Sequence, residues 1–304
     1  MTRHFLSMFD VTPEEILTLI ARAKELKARR GKPGKAKPPL AGRTVALIFE
    51  KASTRTRVSF EVGVAELGGH PMFISAKDSQ LGRGEPIKDT ARVMSRYVHM
   101  IMLRTFSQST LVELAKYSTV PVINGLSDLL HPCQVMSDLQ AVAEQRGEPL
   151  DQWEYAWVGD GNNMANSWIE AAGQLKLSLR LACPPGHKPD AKLLAEAQRR
   201  GGKIRVVDKP REAVEGADVV STDVWASMGQ EAEAEKRRQA FAGYLVDDAL
   251  MARARPGSIF LHCLPAHRGE EVSDSVIEGP HSRVWDEAEN RLHMQKAIME
   301  FLAP

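Results

Sequence analysis

The sequence predicts an α/β protein of two domains, each a mostly parallel sheet flanked by helices. Its 304 residues exceed what one small core needs and fit about two domains. Short apolar runs alternate with amphipathic stretches, as the strands and crossover helices of parallel sheets do. A polar segment with Gly and Pro, residues 145–152, interrupts this alternation, which then restarts. Ligands of such folds bind beyond the carboxyl ends of the strands, so we expect the active site in the cleft between the domains.

The first domain is expected to open with a helix and then to alternate strands and helices. Thr12 to Glu15 form a capping box with proline at the first helical position, so a helix should run over residues 13–30. Apolar runs predict strands at residues 45–49, 72–74, 99–103 and 121–123. Amphipathic stretches predict helices at residues 58–67, 87–97, 110–117 and 132–145.

The second domain is expected to repeat this alternation. The predicted strands are residues 155–158, 179–183, 204–207, 218–222 and 258–262, and the predicted helices are residues 165–176 and 191–200. A last amphipathic helix, residues 287–302, should pack back on the first domain. The predicted domains are therefore residues 1–147 together with 287–304, and residues 148–286.

The composition excludes several classes of protein. Forty basic and thirty-nine acidic residues give a net charge of +1, so bulk charge does not attract nucleic acid or an anionic membrane. No apolar run approaches the ~20 residues of a membrane span. The three cysteines, Cys133, Cys183 and Cys263, are far apart in sequence and form no C-x-x-C pair. We therefore expect a reduced, cytoplasmic protein.

The run Ser53 to Arg57 (STRTR) lies between a predicted strand and a predicted helix. Hydroxyl and guanidinium groups there meet the backbone N–H groups and the positive dipole end of a helix, which is a favourable site for an anion. Guanidinium groups also match the oxygens of a phosphate. From the residues alone, this run is either a phosphate site or an exposed basic start of a helix.

Further polar clusters follow other predicted strands. They are Arg104, His131 to Gln134, Asp160 to Asn163, Asp223 with Ser227 to Gly229, and His262 to Pro265. Helix capping and turn formation explain each cluster when it is taken alone. Five clusters at corresponding strand ends indicate a common site.

Two other kinds of site fit these clusters poorly. Residues 159–164 (GDGNNM) follow a strand as a dinucleotide fingerprint does, but Met164 replaces the third small residue, and no acidic residue ends the next strand to hold a ribose. His262, Cys263 and His267 match no standard zinc spacing, and a fourth ligand is not apparent. We therefore expect no nicotinamide cofactor and no metal.

Three motifs together resemble the aspartate/ornithine carbamoyltransferase family. They are Ser53 to Arg57 (STRTR), His131 to Gln134 (HPCQ) and His262 to Pro265 (HCLP). The resemblance extends from the first helix to the C-terminal tail. The first two motifs are shared with members that use aspartate. Asp223 and the Ser227-Met228-Gly229 group narrow the resemblance to members that use ornithine.

This resemblance implies carbamoyl phosphate as one substrate. Arg104 and His131 would polarise its carbonyl group and stabilise the oxyanion that forms on attack. Residues 75–85 resemble a loop that reaches the neighbouring subunit's site in this family, which implies a homotrimer or a multiple of trimers. The residues implied to bind carbamoyl phosphate are Ser53, Thr54, Arg55, Thr56, Gln80, Arg104, His131, Gln134, Cys263, Leu264 and Arg291.

The same resemblance implies L-ornithine as the other substrate. The residues implied to bind it are Asn163, Asp223, Ser227 and Met228. Asp223 would pair with the α-ammonium group, and the motif favours Asn163 over Asn162 as a contact of the amino-acid head. The side-chain ammonium, with a pKa near ~10, must lose a proton before it attacks. Cys263 would accept that proton, and a thiolate near cationic groups is a physically reasonable acceptor.

The implied reaction gives L-citrulline and phosphate and needs no cofactor, with Cys263, Arg104 and His131 as catalytic residues. It belongs to arginine metabolism, either arginine biosynthesis or arginine breakdown. The Ser227-Met228-Gly229 group argues against family members that use putrescine or acetylated ornithine as the acceptor. Aspartate as acceptor would favour cationic groups where this chain has Asp223. An inactive homologue that only binds carbamoyl phosphate would not require Arg55, Arg104, His131 and Cys263 together.

Overall fold

The computed structural model describes residues 2–32, 37–76, 84–226 and 234–303, and the chain forms two compact units. Unit 1 comprises Met1–Met136 and Asn290–Pro304, and unit 2 comprises Ser137–Glu289. Every pairing between the strands of the two described sheets is parallel. The predicted fold class, two α/β domains with mostly parallel sheets flanked by helices, is therefore confirmed.

Unit 1 contains a four-stranded sheet in the order β2-β1-β3-β4. Its strands are β1 Thr44–Phe49, β2 His70–Ser75, β3 Met100–Arg104 and β4 Val122–Leu126. The chain leaves β1 towards one edge and later returns to its other side as β3, so the strand order reverses between β1 and β3. Phe49 lies opposite Arg104 in the register, which brings the carboxyl ends of these strands together. Such a switch point is where ligands bind in open α/β sheets.

Five helices accompany this sheet in the described part of the chain, and two of them begin earlier than predicted, by four residues and by two. They are α1 Pro13–Ala28, α2 Thr54–Glu66, α3 Ile87–Tyr97, α4 Gln108–Tyr117 and α5 Pro132–Gln145. The prediction that α2 begins at residue 58 is wrong, because Ser53 caps the helix: its Oγ accepts a hydrogen bond from the Thr56 N–H at 3.3 Å. The STRTR run is thus the cap and first turn of α2, and its N–H groups point out of the helix start.

Unit 2 contains a five-stranded sheet in the order β7-β6-β5-β8-β9. Its strands are β5 Glu154–Val158, β6 Ser178–Ala182, β7 Lys203–Val207, β8 Val219–Thr222 and β9 Ile259–His262. Here the order reverses between β5 and β8. Thr222 Oγ1 donates to the Val158 carbonyl at 2.5 Å and joins the carboxyl ends of these two strands. A second candidate ligand edge therefore lies at the ends of β5, β8 and β9.

The helices of unit 2 include short ones that the sequence did not predict. The helices are α6 Asn163–Leu175, α7 Ala191–Arg199, α8 Pro210–Val214, α9 Ala234–Ala240, α10 Asp248–Met251 and α11 Asp274–Ile277. The last four span only four to seven residues, which is too few for a helical period to show. They cover an apolar core in which Trp225, Phe241 and Phe260 are buried.

The C-terminal helix, α12 Val284–Leu302, begins three residues before the predicted start. Its unit 1 portion packs on α2, where Gly63 leaves room for the side chains of Lys296 and Met299. Lys296 Nζ also pairs with Glu66 at 2.6 Å. Within the described residues, no helix combines the length and apolar character that crossing a membrane requires.

Candidate active site

In unit 1, two arginines converge on the first turn of α2. Thr56 is fully buried, and its Oγ1 accepts from Arg291 Nη2 at 2.8 Å and from Arg104 Nη1 at 3.4 Å. Arg104 ends strand β3, and its Nε also donates to the Lys51 carbonyl at 3.2 Å. Arg291 comes from α12, 235 residues away in sequence from Thr56. Three distant segments thus hold two guanidinium groups at one helix start.

This arrangement suits a phosphate. The helix start supplies N–H donors and positive dipole character, and the guanidinium groups supply charge-assisted donors. Arg55 is half-buried next to them, and it has no hydrogen bond or ion pair with the described part of the chain. By contrast, Arg57 lies 3.7 Å above the Phe73 ring and pairs with Glu61, so the last residue of the STRTR run is engaged on the surface.

His131 and Gln134 are buried at the start of α5 in the same unit. Burial, reinforced by the positive charges of Arg291 and Arg104, lowers the pKa of His131 well below its usual value. The imidazole is therefore neutral at physiological pH and has one N–H to donate. A neutral donor beside an arginine can polarise a carbonyl group without bringing in a further cation.

In unit 2, Asp223 joins the ends of β5, β8 and β9. Asn162 Nδ2 donates to Asp223 Oδ2 at 2.8 Å, and the Cys263 thiol donates to Asp223 Oδ1 at 3.1 Å. The side-chain oxygen of Asn162, Oδ1, also caps α6 and accepts from the N–H groups of Met164 and Ala165. The buried Asp223 carboxylate is thus held by one amide and one thiol.

Cationic groups near Cys263 would favour its thiolate form. In unit 2, the charged groups that act on Cys263 are carboxylates instead. Burial, followed by the negative charges of Asp223 and Glu287, raises the pKa of the Cys263 thiol well above its usual value. Asp138 contributes in the same direction. Carboxylates disfavour a thiolate, so Cys263 is a neutral thiol in this arrangement.

A second buried pair holds the backbone around Cys263. The Leu264 N–H donates to His262 Nδ1 at 2.9 Å, so Nε2 carries the ring proton and donates to Glu271 at 3.1 Å. Leu264 has a φ of 56°, an unusual conformation for a branched residue that the contact with His262 helps to hold. Glu287 accepts from the His262 N–H at 2.9 Å. Both ring nitrogens of His262 are therefore engaged, which removes them as ligands for a metal at the Asp223–Cys263 pair.

Two family models match the chain. The carbamoyl-P binding domain of aspartate/ornithine carbamoyltransferase matches residues 3–144, and the Asp/Orn binding domain of the same family matches residues 151–302. The chain belongs to the aspartate/ornithine carbamoyltransferase family. The family and the enzyme class predicted from the motifs are therefore confirmed.

Similar members of the family align over nearly the whole chain. A protein of Pelobacter propionicus named ornithine carbamoyltransferase is 60% identical over 99% of each chain. A protein of Pseudomonas aeruginosa named anabolic ornithine carbamoyltransferase is 55% identical over 99% of this chain and 97% of its own. The crystal structure of an anabolic ornithine carbamoyltransferase from Campylobacter jejuni superposes with a TM-score of 0.92, at 43% identity and 99% coverage of each chain.

Several predicted residues of this family member meet directly, and others do not. Ser53, Thr56, Arg104 and Arg291 form one contact group in unit 1, while Asp223 and Cys263 form another in unit 2. Thr54 is exposed at the same helix start. The predicted contacts at Gln80, Ser227 and Met228 lie outside the described residues.

Sequence reasoning missed how these groups are supported. It did not single out Glu271, Glu287 or Arg237, and it did not predict the supporting contacts of Asn162 and His262. The position of Asn162, directly before a helix and in a polar cluster, was a usable signal for its capping role. The carboxylates come from segments remote in sequence, and no local pattern connects them to His262.

Proposed function

We propose that this protein transfers the carbamoyl group of carbamoyl phosphate to the side-chain amine of L-ornithine, giving L-citrulline and phosphate. The observation that carries the proposal is the convergence of Arg104 and Arg291 on Thr56 at a helix start that suits a phosphate. The sequence-based prediction of this activity is confirmed by full-length relatives of 55% and 60% identity that are named ornithine carbamoyltransferase.

Carbamoyl phosphate is bound, in this proposal, mainly by residues 1–147 together with 287–304. Its phosphate lies against Ser53, Thr54, Arg55 and Thr56, with Arg291 as a further cation. The charge of Arg55, which has no protein partner within the described segments, supports this role. Gln80 and Gln134 complete the donors, and the backbone at Cys263 and Leu264 adds the last contacts. The Leu264 N–H is bound to His262, so the carbonyl is the backbone group that Leu264 has left to offer.

Arg104 and His131 act on the carbonyl oxygen of the carbamoyl group. The ornithine amine attacks the carbonyl carbon, a C–N bond forms, and negative charge develops on the oxygen. Two donors held by the fold stabilise this charge without reorganisation. The C–O bond to phosphate then breaks, the phosphate leaves with the electron pair of that bond, and the attacking nitrogen gives its extra proton to the departing phosphate. Placing the amine next to the carbonyl supplies the remaining acceleration.

Ornithine is bound by residues 148–286 in this proposal, through Asn163, Asp223, Ser227 and Met228. Asn162 caps α6 and holds Asp223, which supports Asn163 as the contact of the amino-acid head. The ornithine α-ammonium group would offset the charge of Asp223. Because that charge raises the pKa of the Cys263 thiol, its neutralisation favours loss of the thiol proton to solvent, which leaves the thiolate. The thiolate then accepts the proton of the side-chain ammonium and leaves the neutral amine ready for attack.

The assembly proposed is a homotrimer or a multiple of trimers, in the cytoplasm, working in the biosynthetic direction. Exposed apolar side chains on α2 and on the edge strand β2 support association: Val58 is 51% exposed, Met72 40% and Phe73 37%. Such an edge is usually covered in solution. The biosynthetic direction rests on relatives named anabolic.

A citrulline assay with a panel of amines tests the activity. Ornithine should give citrulline, whereas putrescine, N-acetylornithine and aspartate should give no carbamoylated product. Product from another amine, and none from ornithine, would overturn the proposal.

The role of Gln80 across subunits is tested by mixing Arg55→Ala and Gln80→Ala subunits, each of low activity alone. Hybrids should regain activity, because some sites then combine an intact Arg55 with an intact Gln80 from a neighbour.

A further inference from the structure

Arg237 is a buried cation that the proposed mechanism does not use. It lies on α9, is 9% exposed, and donates from Nη1 to Asp160 Oδ2 at 2.8 Å. The same nitrogen donates to the Trp225 carbonyl at 2.8 Å. Asp160 is itself 7% exposed, so this is an ion pair largely removed from water. Pairs of this kind are costly to break, because the remaining charge stays buried without a partner.

The two contacts of Arg237 fall on the two segments that carry the proposed ornithine contacts. Asp160 lies two residues before Asn162, and Trp225 lies two residues after Asp223. Asn162 and Asp223 are themselves joined at 2.8 Å. Arg237, the β5–α6 loop and the residues after β8 therefore form a closed ring. In this ring, side-chain hydrogen bonds alternate with short stretches of backbone.

The surroundings of the ring leave little room for it to change shape. A Cβ at Gly161, inside the ring, would lie 2.3 Å from the backbone at residues 188 and 189. Trp225 stacks on Phe241, with ring centroids 5.5 Å apart. Nη1 of Arg237 makes both of these hydrogen bonds, and a lysine ammonium, on a shorter side chain, would have to move to reach the same two acceptors. The orientation of the Asp223 carboxylate thus depends on the link that Arg237 makes.

We propose that Arg237 is a positioning residue for ornithine, which acts through Asp160 and Trp225 to hold the Asp223 carboxylate in its binding orientation. This inference rests on the proposed function. It makes ornithine binding depend on a residue that need not touch the substrate. Carbamoyl phosphate binding should not depend on it, because the phosphate-binding residues Thr56, Arg104 and Arg291 belong to unit 1.

Steady-state kinetics of Arg237→Met test this proposal. We expect KM for ornithine to rise at least about 10-fold, as for other lost buried charge contacts, with KM for carbamoyl phosphate unchanged. Arg237→Lys should give a KM for ornithine between those of Arg237→Met and the wild type, because lysine keeps the charge but has a shorter side chain. Arg238→Met is the matched control. Arg238, the next residue on α9, is 49% exposed, and its ion pairs within the described residues are with Glu235 and Glu270, so both KM values should stay at the wild-type level.

Three outcomes would overturn the proposal. A lower thermal midpoint and a lower kcat, with both KM values unchanged, would indicate that Arg237 only stabilises the fold. Independent effects of Asp160→Asn and Arg237→Met in the double variant would indicate that Arg237 does not act through Asp160. An unchanged KM for ornithine in the two conservative variants, Arg237→Lys and Asp160→Asn, would overturn the proposal even if Arg237→Met fails to fold. Failure of the proposed function itself would appear separately, as wild-type protein that forms no citrulline.

Discussion

The Cys263 thiol donates a hydrogen bond to Oδ1 of Asp223 at 3.1 Å, although the two residues are 40 positions apart in sequence. This contact makes the protonation of one residue depend on the charge of the other. An ionised Asp223 stabilises the thiol form of Cys263, and anything that neutralises Asp223 favours the thiolate. In the proposed mechanism the α-ammonium group of ornithine is such a partner, and ornithine binding would then be coupled to proton acceptance through this pair of residues.

Replacing Asp223 with Asn should make Cys263 more reactive towards a small alkylating reagent. The substitution removes the nearest negative charge, so the pKa of the thiol falls and more thiolate is present at any given pH. We expect the rate of alkylation near pH 8 to rise at least about 10-fold, which corresponds to a shift of one unit in the pKa. Intact-protein mass spectrometry against time measures it. Cys263→Ser gives the background from the buried Cys133 and Cys183. Equal rates in wild type and variant would contradict the coupling.

Replacing Thr56 with Val should weaken carbamoyl phosphate binding. Valine keeps the volume but removes the hydroxyl that accepts from Arg104 and Arg291, which leaves two buried donors without that acceptor. The cost of such a loss, about 1–3 kcal/mol, corresponds to a rise of roughly 5- to 160-fold in KM for carbamoyl phosphate. Thr18→Val, which removes an exposed hydroxyl in α1, is the control and should change neither KM. An unchanged KM for carbamoyl phosphate in Thr56→Val would exclude this role.

The sequence predicted regular elements better than it predicted the contacts between them. Helices α3 and α5 have the predicted limits. The start of α2 was missed, because Thr and Arg in its first turn show no helical period. The motifs identified Cys263 as a site residue. They could not show that carboxylates surround it, since Asp138, Asp223 and Glu287 come from three distant segments brought together by the sheet.

Replacing Asp218 with Asn should destabilise the fold without altering catalysis. Asp218 is fully buried before β8, at the strand end opposite Asp223, and accepts from Arg146 Nη2 at 2.5 Å and from Arg255 Nη1 at 2.8 Å. Breaking a buried pair costs about 3 kcal/mol or more, measured as the free energy of unfolding in denaturant. Arg253→Met, which breaks an exposed pair with Glu215, should cost less than about 1 kcal/mol. Wild-type stability in Asp218→Asn would show that the pair contributes nothing.

The buried His131 should make the protein less stable as the pH falls below neutrality. Burial and two guanidinium groups lower its pKa well below the unfolded value, so the unfolded chain binds a proton that the folded chain does not. The contribution of His131 is fully present above the unfolded pKa of about 6.5 and is lost as the pH falls towards the lowered folded value.

Unfolding free energies between pH 8 and pH 5 measure this dependence. One proton gives a slope of at most about 1.4 kcal/mol per pH unit below pH 6.5. His131→Gln removes the titrating group, so its stability should depend less on pH over this range. His70→Gln, at an exposed histidine in unit 1, is the control and should keep the wild-type slope. Parallel pH profiles for wild type and His131→Gln would mean that His131 is not held neutral. Its role as a neutral donor to the carbamoyl oxygen would then fail as well.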